Sequence, residues 1–318
     1  MSRKRELRAG LPAEFLDRLE EIHGERLHQV VVSFDTAKRP CLWLNPILAD
    51  PAVTLIALRE LHIELEPLEW MTGVYLARGR DREILVHSAL FERGEIYLQN
   101  PSSLLAPRLL APRPGEEILD LAAAPGGKTI QLAVMMEGRG RLAAVESVKT
   151  RFFRMQANLR RAGVSNVVCY LMDGRSVGRK TPGRFHRVLL DAPCSSEGRF
   201  RAGEPRSFRH WSMHKVRDSA RKQRRLILSG LEALQSGGRL LYCTCSFSPE
   251  ENELVIQHAL DRLGEEVDVS VLDLPMTNSL RGLTQWRGKV LDPRLENAVR
   301  VLPDEAYDGF FLCLLEKR

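Results

Sequence analysis

Cys194 and Cys245 are the residues of this chain best placed to do chemistry. Cys194 lies in Asp191-Ala-Pro-Cys-Ser-Ser-Glu-Gly198 and Cys245 in Tyr242-Cys-Thr-Cys-Ser246. Each follows an apolar, strand-like run, residues 188–190 and 240–241, so both are expected where strands end. In open α/β sheets ligands bind at the carboxyl ends of strands. Two thiols at neighbouring strand ends point to covalent chemistry on an electrophilic carbon. The competing reading is a pair of inert core thiols, since a free cysteine often behaves as a small hydrophobe. Cys41, Cys169, Cys243 and Cys313 read that way. A zinc site built from Cys194, Cys243 and Cys245 would lack a fourth ligand and the usual C-x2-C spacing, so no metal is expected.

The elements that must hold these thiols are legible downstream of residue 116. Apolar runs at 118–121, 142–145, 167–171, 188–190, 240–242, 267–272 and 310–315 alternate with helical stretches at 150–162, 217–234 and 250–263. Such alternation predicts an α/β fold with a doubly wound, largely parallel sheet. Upstream the pattern differs. Residues 11–22 have helical apolar spacing, 41–45 read as a strand, 53–61 as a helix, and 83–86 and 96–98 as strands. This predicts a small α+β unit over residues 1–98 and a catalytic domain over 99–318. The boundary is expected between Gln99 and Pro114, where Asn100-Pro-Ser-Ser103 and Ala111-Pro-Arg-Pro-Gly115 punctuate the chain.

The run at 118–121 leads into Ala122-Ala-Ala-Pro-Gly-Gly-Lys-Thr129 and then a helix. A turn of small residues opening a helix lets backbone approach a ligand, with free N–H groups at the helix start. A phosphate-binding P-loop would need glycine where Ala122 stands, and the dinucleotide fingerprint G-x-G-x-x-G is absent. The third reading is the S-adenosylmethionine (SAM) loop of a Rossmann-like methyltransferase, formed by Ala122, Ala123, Ala124, Pro125, Gly126, Gly127 and Lys128. The second strand discriminates, because it ends at Glu146, nineteen residues after Gly127. A carboxylate there can accept both ribose hydroxyls of an adenosine. Asp173, before Gly174, ends the third strand and can pair with an adenine amino group. Asp120, Glu146, Asp173 and Asp191 thus stand at four successive strand ends.

Charge adds a partner. The 318-residue chain is 44% hydrophobic and 28% charged, with a net charge of +6. From residue 199 to 225 there are ten Lys/Arg against two acids, Glu204 and Asp218, with Phe200, Phe208 and Trp211 interleaved. A basic, aromatic-bearing stretch beside Cys194 reads as a nucleic-acid contact rather than a merely solvated face. Arg154, Arg160 and Arg161 are further phosphate candidates, and Arg151 either joins them or positions the cofactor. No apolar run of about 18 residues suggests a membrane span. Met1-Ser-Arg-Lys-Arg-Glu-Leu7 has no apolar stretch of a secretory signal, and six cysteines without regular spacing fit a reducing cytosol. A cytoplasmic location is therefore expected.

Asp-Leu-Ala-Ala-Ala-Pro-Gly-Gly-Lys-Thr, Asp-Ala-Pro-Cys-Ser and Tyr-Cys-Thr-Cys-Ser-Phe-Ser-Pro-Glu-Glu-Asn-Glu together resemble the Sun/Nop-type (RsmB-like) RNA 5-methylcytosine methyltransferases. Gln99-Asn-Pro-Ser-Ser103 and Asp308-Gly-Phe-Phe311 extend the likeness, which covers residues 98–318 strongly and 10–97 loosely, as the family's N-terminal RNA-binding extension. The resemblance implies SAM as cofactor and RNA as substrate, with ribosomal favoured over transfer RNA. It also implies a division of labour. DNA cytosine methyltransferases attack with the Pro-Cys cysteine, matching Cys194, whereas the Sun/Nop-type RNA enzymes use the Thr-Cys cysteine, matching Cys245. Cys245 is therefore assigned as nucleophile and Cys194 as the group that helps break down the covalent adduct. Asp191 is assigned to the base edge, and also lies among the cofactor-binding positions; Lys128 is placed near base and SAM. The chain departs from the family at Ala122 (commonly Cys), His186 (often Asp) and Asp304 (commonly His).

The chemistry explains the thiol. Carbon 5 of cytosine is a poor nucleophile, and thiolate addition at carbon 6 turns the ring into an enamine that is a good one; this is covalent catalysis. The target must be single-stranded or flipped out of a duplex. The expectation is a monomeric RNA cytosine-5 methyltransferase, without membrane or metal. Its rivals are a non-catalytic RNA-binding ribosome-assembly factor of the same fold and a DNA methyltransferase using Cys194.

Overall fold

Period-two alternation along β1 (Cys41–Leu44) sends its side chains into two different cores. In the computed structural model, which describes residues 10–318, Leu42 and Leu44 pack with Leu58, Ile63, Leu85 and Ile96, whereas Cys41 and Trp43 pack towards Ala123, Ala124 and Met155. The charged N-terminal heptapeptide lies outside the described residues. β1 is central in a four-stranded antiparallel sheet ordered β2 (Glu66–Pro67), β3 (Val74–Leu76), β1, β4 (Ile96–Leu98). A helix, Pro51–Glu60, is capped by Asp50, whose side chain accepts from the Ala52 N–H. The two helices before the sheet, α1 (Ala13–His23) and α2 (Leu27–Ser33), pack elsewhere. Phe15, Leu19, Val30 and Phe34 join the core of the large sheet instead.

One expectation fails here, and another stretch gains structure. Residues 83–86 form a helix, Arg82–Val86, rather than a strand. Four apolar residues cannot distinguish the two periods, and Leu85 is buried while Ile84 faces solvent. Residues 99–114 are not simply a punctuated connection, for they contain α3 (Pro101–Leu110). Asn100 accepts the Ser102 N–H as N-cap and Pro101 takes the first helical position, so the apparent breaker dipeptide is a helix start. The helix is almost wholly buried and fastens to the C-terminal loop: the Asn100 amide donates to the Ala306 carbonyl and Ser102 Oγ to the Asp308 carbonyl.

From residue 117 the predicted alternation builds one nine-stranded mixed sheet. Its parallel part runs β7 (Val167–Leu171), β6 (Arg141–Glu146), β5 (Glu117–Asp120), β8 (Phe185–Asp191), β9 (Leu234–Thr244). The antiparallel strand β13 (Phe310–Lys317) follows β9. Its outer edge is shared, β12 (Val299–Val301) pairing with its first half and β10 (Val267–Ser270) with its second, while β11 (Ser279–Arg281) pairs with β12. Val188, Leu189 and Leu190 are all fully buried, as expected of a strand covered on both faces. The covering helices are α4 (Gly127–Met135), α5 (Lys149–Arg161), α6 (Met213–Ala233) and α7 (Glu253–Leu263). Along α6, Val216, Ala220, Gln223, Ile227 and Leu231 are buried at three- and four-residue spacing, which leaves its cations outside. No described helix is long and apolar enough to cross a membrane.

Candidate active site

Strand order reverses between β5 and β8, and the loops leaving these neighbours diverge to open a crevice at the carboxyl ends of the strands. The loop after β8 carries Cys194 and the end of β9 carries Cys245, and their Sγ atoms are 3.3 Å apart. The Gly198 N–H donates to the Cys245 carbonyl at 2.9 Å and ties the two loops together. The sulfur–sulfur hydrogen bond, in which either thiol can donate, is the largest influence on Cys245 and lowers its proton affinity. Burial opposes it, Arg199 and the Ser196 hydroxyl reinforce it, and the net brings Cys245 down to about 6. The same contact, together with burial, pushes Cys194 up. The two thiols are therefore pushed in opposite directions, Cys245 towards the thiolate and Cys194 towards the thiol. Arg199, open to the cavity that also exposes both sulfurs, has its own affinity for the proton raised chiefly by Cys245.

One prediction follows from this electrostatic arrangement. The thiolate is the reactive form, so Cys245 reactivity should rise with pH through about 6. Replacing Arg199 with methionine removes a favourable charge, and the midpoint should move up by about one unit. Iodoacetamide labelling of Cys245 followed by mass spectrometry checks this; an unmoved midpoint would deny Arg199 the role.

Lys128 enters the cavity from the first turn of α4. Its Nζ donates to Asp191 Oδ2 at 2.6 Å and to Ser103 Oγ at 3.1 Å. Burial penalises the lysine's charge, but Asp191 outweighs that and the net is upward. Asp191 also receives the Cys243 thiol at Oδ1, 3.7 Å away. Cys243, read from the sequence as a core thiol, therefore helps orient the carboxylate. Asp120, at the end of β5, is pushed up to about 7 by burial, against the Thr129 hydroxyl that donates to its Oδ2 at 2.7 Å.

The crevice has two chambers that share Ala122 and Pro193 as walls. One, of about 340 Å³, holds the thiols, Lys128 and Asp191; the other, of about 290 Å³, holds Glu146, Asp173 and Gly174. The second suits an adenosine. Glu146 is buried, with Oε1 accepting the Val148 N–H at 2.8 Å and Oε2 without a hydrogen-bond partner. A buried acceptor of this kind fits a ribose hydroxyl. A Cβ on Gly174 would lie 2.9 Å from the Leu121 carbonyl oxygen, so only glycine fits there. Ala123 and Ala124 are buried small residues, and Gly126 has φ of +104°, so the loop's backbone turns sharply into α4. Arg151 donates to the Ala124 carbonyl at 2.7 Å and lies 3.5 Å from Glu146 Oε2, so it contacts both the loop and the strand-end acid. Asp173 caps the turn that follows, accepting the Arg175 N–H at 2.9 Å, and the Arg175 side chain lowers its proton affinity.

In the basic segment the aromatics interleaved with the cations pack into the protein, Phe200 and Phe208 fully and Trp211 in part. Phe15 packs against both Phe200 and Trp211. They anchor the segment, and its cations, among them Arg206, Arg209, Lys215, Arg217 and Arg225, are exposed. Among the described residues, no group of three or more His, Cys, Asp or Glu is placed to hold a metal ion. Two family departures have local explanations. His186 Nδ1 accepts the Glu117 N–H, and Asp304 accepts the Ala306 and Tyr307 N–H groups to shape the loop beneath α3. Sequence reasoning missed Arg199 as a thiolate partner, because it stood in a run of ten cations, and missed Ser103 although its motif had been noticed.

Comparison with known proteins agrees with the motifs. Residues 107–316 match the family described as 16S rRNA methyltransferase RsmB/F. The ribosomal RNA small subunit methyltransferase F of Vibrio atlanticus (strain LGP32) is 33% identical over 314 residues, 96% of this chain and 64% of that protein. The chain thus spans just under two thirds of that relative. The tRNA (cytosine(49)-C(5))-methyltransferase of Pyrococcus abyssi (strain GE5 / Orsay) is 35% identical over 283 residues, 88% of each chain. The crystal structure of a methyltransferase homolog protein from Pyrococcus horikoshii superposes with a TM-score of 0.84 at 31% identity, over 99% of this chain and 98% of that one. By its motifs, its sheet and these relatives, the chain belongs to the RsmB/F methyltransferase family.

Proposed function

We propose that this protein is a SAM-dependent RNA (cytosine-5-)-methyltransferase that acts on ribosomal RNA through a covalent cysteine–cytosine adduct. The observation that carries the reading is the pair of sulfurs 3.3 Å apart in one cavity with the Lys128–Asp191 pair. The Cys245 thiolate adds to carbon 6 of a flipped-out cytosine, forming a carbon–sulfur bond and leaving carbon 5 nucleophilic. Asp191, oriented by Lys128 and Cys243, accepts from the base edge and favours a protonated ring nitrogen during attack. SAM supplies the methyl group that carbon 5 takes. Cys194, directly or through a water, acts as a proton shuttle: as the carbon 5 proton reaches it, its own thiol proton passes on to solvent, the electron pair of the C–H bond restores the carbon 5–carbon 6 double bond, and the carbon–sulfur bond breaks with Cys245 leaving as thiolate. Ala122–Gly127 with Lys128, Glu146, Arg151, Asp173, Gly174 and Asp191 are the residues assigned to hold the cofactor.

Residues 1–98 are assigned to RNA binding and 99–318 to catalysis. The cations of α6 supply the phosphate contacts, in a monomeric cytoplasmic enzyme. The ribosomal target is favoured by the family match, and the Pyrococcus abyssi relative supports transfer RNA as the second reading. Bisulfite sequencing of total RNA from cells with and without the protein tests this. Loss of a methylated cytosine from small-subunit rRNA supports the first reading, and loss from tRNA supports the second. No loss from any RNA overturns the activity. Calorimetry tests the cofactor. Glu146→Ala should weaken SAM binding about 10- to 100-fold, the loss of a hydrogen bond to a charged acceptor. Unchanged affinity would remove Glu146 from the site.

A further inference from the structure

Behind the two cysteines lies a buried pair of carboxyls that the reaction just described does not use. Ser246, directly after Cys245, places its single hydroxyl 2.7 Å from Glu251 Oε2 and 2.9 Å from Glu197 Oε2. One proton cannot be donated to both oxygens, so two carboxylates here would leave lone pairs opposed in a buried site. The remaining contacts say which carboxyl carries the extra proton. Glu197 Oε2 accepts the Phe247 and Ser248 N–H groups, and its Oε1 accepts Ser248 Oγ and Trp211 Nε1, all at 2.8–2.9 Å. Five donors converge on it once Ser246 is included, a setting for an anion. Glu251 differs. Its Oε1 accepts the Ser195 N–H at 2.9 Å and Gln223 Nε2 at 3.1 Å, as a carbonyl oxygen would. Its Oε2 meets only hydroxyls, those of Ser195 and Ser246.

We propose that Glu251 is a positioning residue for the cysteine pair. Held as the neutral acid, it donates from Oε2 to Ser246 and accepts from Ser195, clamping the residue after Cys245 to the residue after Cys194. The proton count then closes: Ser195 gives to Glu251, Glu251 to Ser246, and Ser246 to Glu197. The clamp fixes the spacing of the sulfurs and keeps a further negative charge from the thiolate. Burial, and after it the Glu197 carboxylate, push Glu251 up to about 7, in the same direction. The ionisable groups facing it are Glu197 and Cys194 from the loop after β8 and Tyr242 from β9, while α6 presents the neutral amide of Gln223.

The inference rests on the covalent reading only for its bearing on methylation, so its test reads the thiol without RNA or SAM. The infrared difference between parent and Glu251→Gln, taken on the acid side of neutrality, should show the C=O band of a protonated carboxyl. An amide can donate to both serines, so Glu251→Gln should retain Cys245 labelling by iodoacetamide. Glu251→Ala should lose about tenfold, as when the thiol's proton affinity rises by about one unit. Glu197→Gln, which sets an amide against backbone donors, should fall with the alanine variant. The proposal is overturned if the difference spectrum shows only ionised carboxylate, if Glu251→Gln falls as far as Glu251→Ala, or if Glu197→Gln is the tolerated change.

Discussion

Replacement of Cys245 by alanine is expected to lower methyl transfer to RNA by about 10⁴-fold or more, the scale on which enzymes lose rate with their nucleophile. Without addition at carbon 6 the pyrimidine never becomes the enamine that carbon 5 needs. The loss should fall on turnover and leave cofactor affinity intact, because Cys245 lines the chamber opposite the one holding Glu146 and Asp173. Methyl incorporation from labelled SAM into the identified RNA, alongside calorimetry, measures both quantities. The variant separates two arrangements that the sequence allowed. If Cys194 were the attacking thiol, Cys245→Ala would keep substantial activity and Cys194→Ala would be the inactive enzyme. A Cys245→Ala protein working at the parent's rate removes the assignment made from the Thr-Cys motif and from the depressed proton affinity of Cys245.

The second large effect is the opposite in kind. Cys194→Ala should accumulate a covalent protein–RNA adduct that survives denaturing electrophoresis, because attack and methylation proceed while release stalls. The pair is also electrostatically linked, and the sign can be followed. The hydrogen bond with Cys194 does most to lower the proton affinity of Cys245. Its removal raises that affinity, so the adduct should form best at higher pH than parent turnover requires. Absence of adduct with a verified substrate, at any pH where the protein stays folded, would deny Cys194 the release role.

Much of the catalytic half was readable because parallel strands covered on both faces are nearly continuous apolar runs. Residues 118–121 and 188–190 announced β5 and β8, and Asp120 and Asp191 fell at their carboxyl ends as expected. Reading failed where a short segment had two meanings. Asn100-Pro101 looked like a break and is a capped helix start; residues 83–86 looked like a strand and form one helical turn. The aromatics of the basic segment were read together with its cations, yet Phe15, nearly two hundred residues away in the chain, packs against Phe200 in the core. No local pattern could foretell that contact.

The division for the site is similar. Residue types and their order determined by themselves that this chain has a small-residue cofactor loop, strand-end acids and two cysteines in RNA-methyltransferase motifs, because each of these lies within one strand and its following turn. What only the tertiary structure decided was how the cysteines differ. Pairing of β8 with β9 brings sulfurs 51 positions apart in sequence to 3.3 Å and sets Asp191 against Cys243. Arg199 then joins the cavity beside Cys245, and Glu251 reaches Ser195 and Ser246 from beyond β9. Proton affinities depend on distance and burial through space, and neither is written in the spacing of residues along a chain.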